Sequence, residues 1–350
     1  MHSATSAHPS PSSAAPSSSA TLNPQPLFEM QFTLVPARIL TIGVQLNVFS
    51  PLADGAKTAA EIARATRTSE RGTRMLLDAL TAVNLLAKSD GRYTLSPLAA
   101  EFLVKHRPNY LGWMMEQDAL WQAWSRLAEA IRTGQPLRQL DQESAAIEFF
   151  PALVRSLHVM NREPARRAAS SLGAGARARG LRVLDVACGS GVWGLAMAEA
   201  DPQARITAHD FEAMLPIARE YVERAGRTNQ FDYLAGDLKM VDFGQGRFDL
   251  AILGNIVHSE GEAASRALFR RLYQALAPGG RIAIIDMIPN PERSGPPFPV
   301  FFALVMLLNA AAGDTYTLPE YTRWLTEAGF AEVTTTDIGS HSPLLVAARR

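Results

Sequence analysis

The chain of 350 residues holds one cysteine, Cys188, and so cannot form an intramolecular disulfide. That composition suits a reducing compartment, and a cytoplasmic protein is expected. Neither sign of charge is in excess: 34 Lys and Arg stand against 34 Asp and Glu. Net charge therefore gives no reason to expect nucleic acid or an anionic membrane as a partner. Metal-ligand spacing is missing, with one Cys and no paired His motif, so no metal is expected. A Gly-x-Ser-x-Gly nucleophile elbow is also missing. The apolar run at 300–313 is shorter than the about 20 residues that a bilayer requires, and no membrane insertion is expected. It reads as a helix, either lining a greasy substrate pocket or serving as an ordinary core or dimer helix. Residues 1–26 are rich in Ser, Ala and Pro and lack the basic start and apolar run of a secretion signal. They are expected to form a disordered tail.

What is present centres on Arg182-Val183-Leu184-Asp185-Val186-Ala187-Cys188-Gly189-Ser190-Gly191. A short apolar strand runs into a carboxylate, then a glycine-rich turn, then an apolar helix over 192–200. This is the first βα unit of a nucleotide-binding sheet. Gly189 and Gly191 let a ligand approach the backbone where a Cβ would collide. Asp210 ends the next strand, in position to accept hydrogen bonds from ribose hydroxyls. Phe211 follows it at the same edge. The pattern Gly189-x-Gly191-x-x-Gly194 fits a dinucleotide site literally, but Asp185 separates the readings. A pyrophosphate would be repelled by that carboxylate. A sulfonium, or the amino group of a methionine moiety, would be attracted. S-adenosyl-L-methionine is therefore the expected cofactor.

Further strands are predicted at 230–234, 248–253 and 281–286, with a helix over 265–276 stopped by Pro278-Gly279-Gly280. A helix over 316–328 and strands at 330–337 and 343–348 close the sheet as a hairpin. Asp237 is placed to accept from the adenine amine, with Leu238 or Met240 on the ring face. The alternative is an aspartate that merely caps its turn.

From residue 27 onward the chain resembles the S-adenosylmethionine-dependent O-methyltransferase family of caffeate and small-molecule type. The residues that carry the resemblance are Leu184-Asp185-Val186-Ala187-Cys188-Gly189-Ser190-Gly191, Asp210, Gly236-Asp237, Asn255-Ile256-Val257-His258, Leu276-Ala277-Pro278-Gly279-Gly280 and Glu327-Ala328-Gly329-Phe330. It implies a Rossmann-like class I methyltransferase domain over 171–350, with a mostly parallel sheet ending in an antiparallel hairpin. A mainly helical, winged-helix-like dimerisation and substrate-lining domain would span 27–170. The implied cofactor contacts are Asp185, Gly189, Gly191, Asp210, Phe211, Asp237, Leu238 and Asn255. His258 is implied to be the general base that takes a proton from the substrate hydroxyl, a task for which imidazole is suited. The family's supporting glutamates are not evident. Thr315 stands where one would fall, leaving Asp314, Glu260 or Glu262 as substitutes. The implied reaction is methyl transfer to a hydroxyl of a small, largely apolar, aromatic or polyketide-like metabolite. Relatives that methylate carbon, or that bind the cofactor without methylating, are the alternative.

His209 is expected to pack beside the cofactor, and His158 to be a core or pocket residue. Trp113, Met160, Met306 and Asn309 are candidate substrate-pocket residues. The N-terminal half reads as a helix pair or kinked helix over 27–49, a capping box from Thr58 to Glu61, a helix over 69–83 and a hairpin around Asp90-Gly91. Such a winged helix suggests either DNA binding or, by the resemblance, a homodimer platform. The second helix lacks a dense basic face, which favours dimerisation. Leu34, Ile39, Leu40 and Val44 are expected to be buried between chains.

Overall fold

The computed structural model describes residues 22–116, 118–138 and 143–350. The predicted tail falls outside the described residues up to 21, and helix begins at Gln25. Two helices, Gln25–Phe32 and Leu34–Gln45, form the predicted pair, broken at Thr33. Thr58 caps the helix Ala59–Thr66 through the predicted reciprocal bonds with Glu61. The helix Glu70–Ala82 starts on Ser69, whose hydroxyl accepts from Gly72 N. Three short strands, β1 (Lys57–Thr58), β2 (Leu86–Ser89) and β3 (Arg92–Leu95), pair in the order β1-β3-β2. The β2–β3 turn places Asp90 and Gly91 both at positive φ, the conformation a two-residue hairpin loop demands.

This module has its own core, built from Val44, Phe49, Ile62, Leu77, Leu80 and Tyr93. Of the four residues expected between chains, Leu34 is left exposed. Val44 is buried within the chain, and Ile39 and Leu40 pack against the same core. The large apolar side chains left exposed include Leu27, Phe28, Met30, Phe32 and Leu34. The break at Thr33 separates a first helix with no buried residue from a second that buries Gly43 and Val44. By length and composition alone, Gln25–Gln45 also passes as a membrane-spanning stretch, longer than the run singled out from the sequence.

After Gly112 the chain forms a 3-10 turn, Gly112–Met114, and two short helices, Ala119–Ser125 and Leu127–Thr133. One helix, Glu143–Leu172, then leads into the larger sheet.

That sheet has seven strands: β4 (Arg182–Val186), β5 (Arg205–Asp210), β6 (Phe231–Ala235), β7 (Phe248–Gly254), β8 (Leu276–Ile285), β9 (Phe330–Thr336) and β10 (Leu344–Arg349). Their order is β6-β5-β4-β7-β8-β10-β9. The first five are parallel; β10 runs antiparallel between β8 and β9. The chain winds outward from β4 to β6, then returns to add β7 on the other side of β4. The switch point thus lies between β4 and β7, where open α/β sheets bind ligands at their carboxyl edge. Both faces are covered, one by the helices 143–172 and 192–200, the other by 257–275 and 318–328. The near-continuous apolar strands Leu250–Leu253 and Ile282–Ile285 follow from that double cover.

Candidate active site

Two loops meet at the switch point. The first follows β4. Ala187, Gly189 and Gly191 all have positive φ, which turns the loop back toward the helix Val192–Ala200. A Cβ on Gly189 would come within 3.2 Å of the Val154 side chain. Asp210, at the end of β5, grips this loop. Its Oδ2 accepts from Gly189 N at 2.8 Å and its Oδ1 from Phe211 N at 2.8 Å. Burial pushes the Asp210 pKa up to about 6, against the pull of those two N–H donors. Each carboxylate oxygen keeps a further lone pair for a hydroxyl.

Asp185 lies below the loop, fully buried. Its Oδ2 accepts from Gly194 N at 2.9 Å, and its Oδ1 has no partner. Burial raises its pKa to about 7; the Gly194 N–H opposes this and the Asp210 charge adds to it. A buried carboxylate oxygen lacking a donor is matched to a cationic or donor-bearing ligand and mismatched to a pyrophosphate.

The remaining sequence candidates at this edge divide. Asp237 is exposed, and its Oδ1 caps its own turn at Lys239 N, 2.8 Å. Leu238 is buried in the core, whereas Met240 is exposed. Asn255, at φ 60°, follows β7 and accepts from Ser342 Oγ at 3.4 Å. His209 is buried, edge-on to Phe243, with Nε2 unpartnered; burial draws its pKa down to about 4.

The second loop follows β7 and carries His258, which opens the helix Val257–Ala275 earlier than the sequence pattern indicated. His258 Nδ1 lies 2.6 Å from Asp286 Oδ1. Asp286 also accepts from His258 N at 3.1 Å, Met287 N at 2.8 Å and the Tyr321 hydroxyl at 3.0 Å. The acid that meets His258 is thus Asp286, just past β8, which the sequence did not single out. Asp314 pairs with Arg293, and Glu262 with Arg266 and Arg323. Thr315 is buried. With Nδ1–H donated to a carboxylate, the imidazole lone pair is on Nε2, the arrangement of a proton acceptor. Gly261 permits the fold here: at φ 80° it breaks the helix, and a Cβ would stand 2.7 Å from the Ala312 side chain.

The helix Pro297–Asn309 closes the far side. Phe302 meets the His258 ring edge-on, centroids 5.0 Å apart. Met306 and Asn309 are buried on the same helix, though the Asn309 amide donates back to Val305 O at 2.8 Å. Trp113 packs in the N-terminal core beneath Arg155. Met160, on the helix Glu143–Leu172, is 55 % exposed. Among the described residues no three His, Cys, Asp or Glu side chains cluster as metal ligands.

Residues 172–331 match an O-methyltransferase domain, and residues 28–105 match an O-methyltransferase dimerisation domain. The 3-hydroxy-5-methyl-1-naphthoate 3-O-methyltransferase of Streptomyces sahachiroi is 30% identical over 91% of this chain and 92% of its own length. The chain belongs to the S-adenosylmethionine-dependent O-methyltransferase family. A second relative, the tetracenomycin polyketide synthesis 8-O-methyl transferase TcmO of Streptomyces glaucescens, is 29% identical over 92% of this chain and 96% of its own. The fold is also that of human N-acetylserotonin methyltransferase, solved in complex with S-adenosylmethionine. That structure has TM-score 0.82 at 21% identity, covering 95% of this chain and 99% of that chain.

The methyltransferase therefore uses S-adenosyl-L-methionine. The orphaned Asp185 Oδ1 and the twice-bonded Asp210 carboxylate fit that cofactor. Its N-terminal helices and β2–β3 hairpin lie in the part that matches a dimerisation domain, which supports the homodimer over the DNA-binding reading. Sequence reasoning missed Asp286, Tyr321, Val154 and Phe302. A signal for Asp286 was present: like Asp210, it follows an apolar parallel strand, Ile282–Ile285, at the sheet's carboxyl edge.

Proposed function

We propose that this methyltransferase acts on a phenolic hydroxyl of a small, largely apolar aromatic or polyketide-like metabolite, with His258 as the base. The observation that carries the reading is the His258–Asp286 pair, set at the switch point beside the glycine loop. Asp210 would hold the cofactor ribose, Gly189 and Gly191 would bring the backbone against it, and Asp185 would face its cationic end. The cofactor, when bound, supplies a methyl group already activated by positive sulfur.

The chain's own part is to place a hydroxyl and remove one proton. Asp286 fixes the His258 tautomer, so that Nε2 takes the proton as the hydroxyl oxygen becomes nucleophilic. Burial of the resulting imidazolium against the Asp286 carboxylate is favourable in a low-dielectric site. Phe302, Met306 and the uncharged helix they stand on supply an apolar wall that excludes water and suits a flat ring. The two Streptomyces relatives, whose names give a naphthoate and a polyketide as acceptors, support that substrate class. The exposed apolar row Leu27, Phe28, Met30, Phe32 and Leu34 supports a homodimer through the dimerisation domain. The single cysteine, Cys188, is free and buried, in keeping with a cytosolic enzyme.

The test is incubation with methyl-labelled S-adenosylmethionine and a panel of naphthols and hydroxyanthraquinones, followed by product analysis by mass spectrometry and NMR. An O-methyl ether is expected. Label appearing on carbon, or on no phenol in the panel, would refute the assignment.

A further inference from the structure

One turn of the helix Glu143–Leu172 lies across the glycine loop. Val154 covers Gly189, and His158, four residues on and so on the same face, reaches Ser190. The His158 Nδ1 to Ser190 Oγ distance is 3.0 Å. Ser190 is buried and sits between two positive-φ glycines, Gly189 held by Asp210 and Gly191 by the Cys188 carbonyl. The back of the His158 ring stacks on Tyr221, centroids 3.7 Å apart and planes 16° from parallel. Arg155 pairs with Glu220 at 2.7 Å, tying the same turn to the helix Leu215–Arg224. Ser156 accepts from Met114 N at 3.3 Å and donates to Leu111 O at 3.2 Å, which ties it to the segment bearing Trp113.

We propose that His158 is a positioning residue for methyl transfer: through Ser190 it holds the Gly189–Gly191 loop in the shape that receives the cofactor. The proposal rests on the reading of that loop as the cofactor's seat. A leucine would fill the space between Val154 and Tyr221 without a polar group to satisfy. What the imidazole adds is one directed hydrogen bond to the loop. Desolvation first, then the charges of Arg162 and Arg224, bring the His158 pKa down to about 4. The ring is therefore neutral at working pH, so Nδ1 and the serine hydroxyl share one proton-ordered bond. The stack on Tyr221 fixes the direction in which Nδ1 points.

The experiment is calorimetric titration of the full chain with S-adenosylhomocysteine, with steady-state kinetics alongside. His158→Ala is expected to weaken binding at least tenfold and to raise the KM for S-adenosylmethionine by a similar factor. The kcat at saturating cofactor should stay within threefold. His158→Asn, whose amide can reach the Nδ1 position, is expected to restore affinity to within threefold of the parent. Ser190→Ala removes the bond from the other side and should bring no further loss when combined with His158→Ala. Should His158→Ala fail to fold, Ser190→Ala and His158→Asn carry the test. Affinity unchanged in the variants, or a lowered melting temperature with unchanged affinity, would overturn the proposal. Asp210→Ala separates the two ideas. If Asp210→Ala leaves affinity intact, the reading of the cofactor seat fails. If it weakens binding while His158→Ala and Ser190→Ala do not, only the positioning role fails.

Discussion

Asp286→Asn is the perturbation with the most to say about the site. The carboxylate has two oxygens and four donors. Oδ1 takes His258 Nδ1 and Met287 N; Oδ2 takes His258 N and the Tyr321 hydroxyl. An asparagine keeps one oxygen and turns an NH2 toward two of those donors in either orientation. With NH2 at the Oδ2 position, it opposes the His258 backbone N–H, which cannot flip. With NH2 at the Oδ1 position, it opposes the Met287 N–H and forces His258 to accept at Nδ1. The proton then moves to Nε2, and the base is lost. One buried backbone donor is left unpaired either way, a cost of about 1–3 kcal/mol in stability. For the reaction, the better orientation replaces a charge-assisted bond by a neutral one, and the worse one removes the proton acceptor. The rate of methyl transfer should fall between about 10²-fold and 10⁴-fold. The hydrogen bonds of Asp286 go to His258, Met287 and Tyr321 and not to the cofactor loop, so affinity for S-adenosylhomocysteine should stay within about twofold. Tyr321→Phe removes one donor of the four and should cost about 1 kcal/mol and less than tenfold in rate. The assay is single-turnover transfer at saturating cofactor, with circular dichroism to establish folding. A folded Asp286→Asn protein within fivefold of the parent rate would refute the reasoning.

Cofactor binding should depend on pH through Asp185 and Asp210, whose pKa values are raised to about 7 and about 6. Ionised carboxylates are what the cofactor engages, so affinity is full above pH 7 and falls as pH drops through 7 and 6. Calorimetry in buffers of different ionisation enthalpy should show proton release near pH 6.5 and at least a tenfold weaker Kd at pH 5.5; a flat profile would contradict this. Gly261→Ala places a Cβ against Ala312 at positive φ, next to the start of the His258 helix. It should lower the melting temperature by several degrees, from a cost of about 2 kcal/mol, and reduce kcat, as read by calorimetry and kinetics. Phe28→Glu with Phe32→Glu charges the exposed ring pair, whose centroids are 4.7 Å apart. Light scattering should show a dimer for the parent and a monomer for this variant, still able to bind cofactor.

The catalytic sheet was legible wherever a strand ended in a marked loop. Val192–Ala200 begins and ends where its apolar run does, and Asp210 closes β5 as its position implied. The support for His258 was not legible, because it crosses strands. Asp286 is distant along the chain, and only the β7–β8 register, with Gly254 opposite Ile285, brings the two loop starts together. Sequence reasoning looked for the acid near His258 or near Thr315, where a resemblance pointed. The phase of the long helix was not legible either: it buries Ser156, Ala165, Ala168, Ala169 and Leu172 and leaves Met160 exposed. His258 appeared to precede its helix because the pattern begins cleanly only at Ser265; Gly261 conceals the earlier turn.

The central claim is that His258 takes the hydroxyl proton in a site already holding the cofactor. Its most direct test is a comparison of parent and His258→Gln in labelled methyl transfer to an accepted naphthol, with S-adenosylhomocysteine affinity measured on the same samples. The account predicts unchanged affinity and a rate at least about 10²-fold lower. Transfer at the parent rate by a variant that binds the cofactor normally would contradict it.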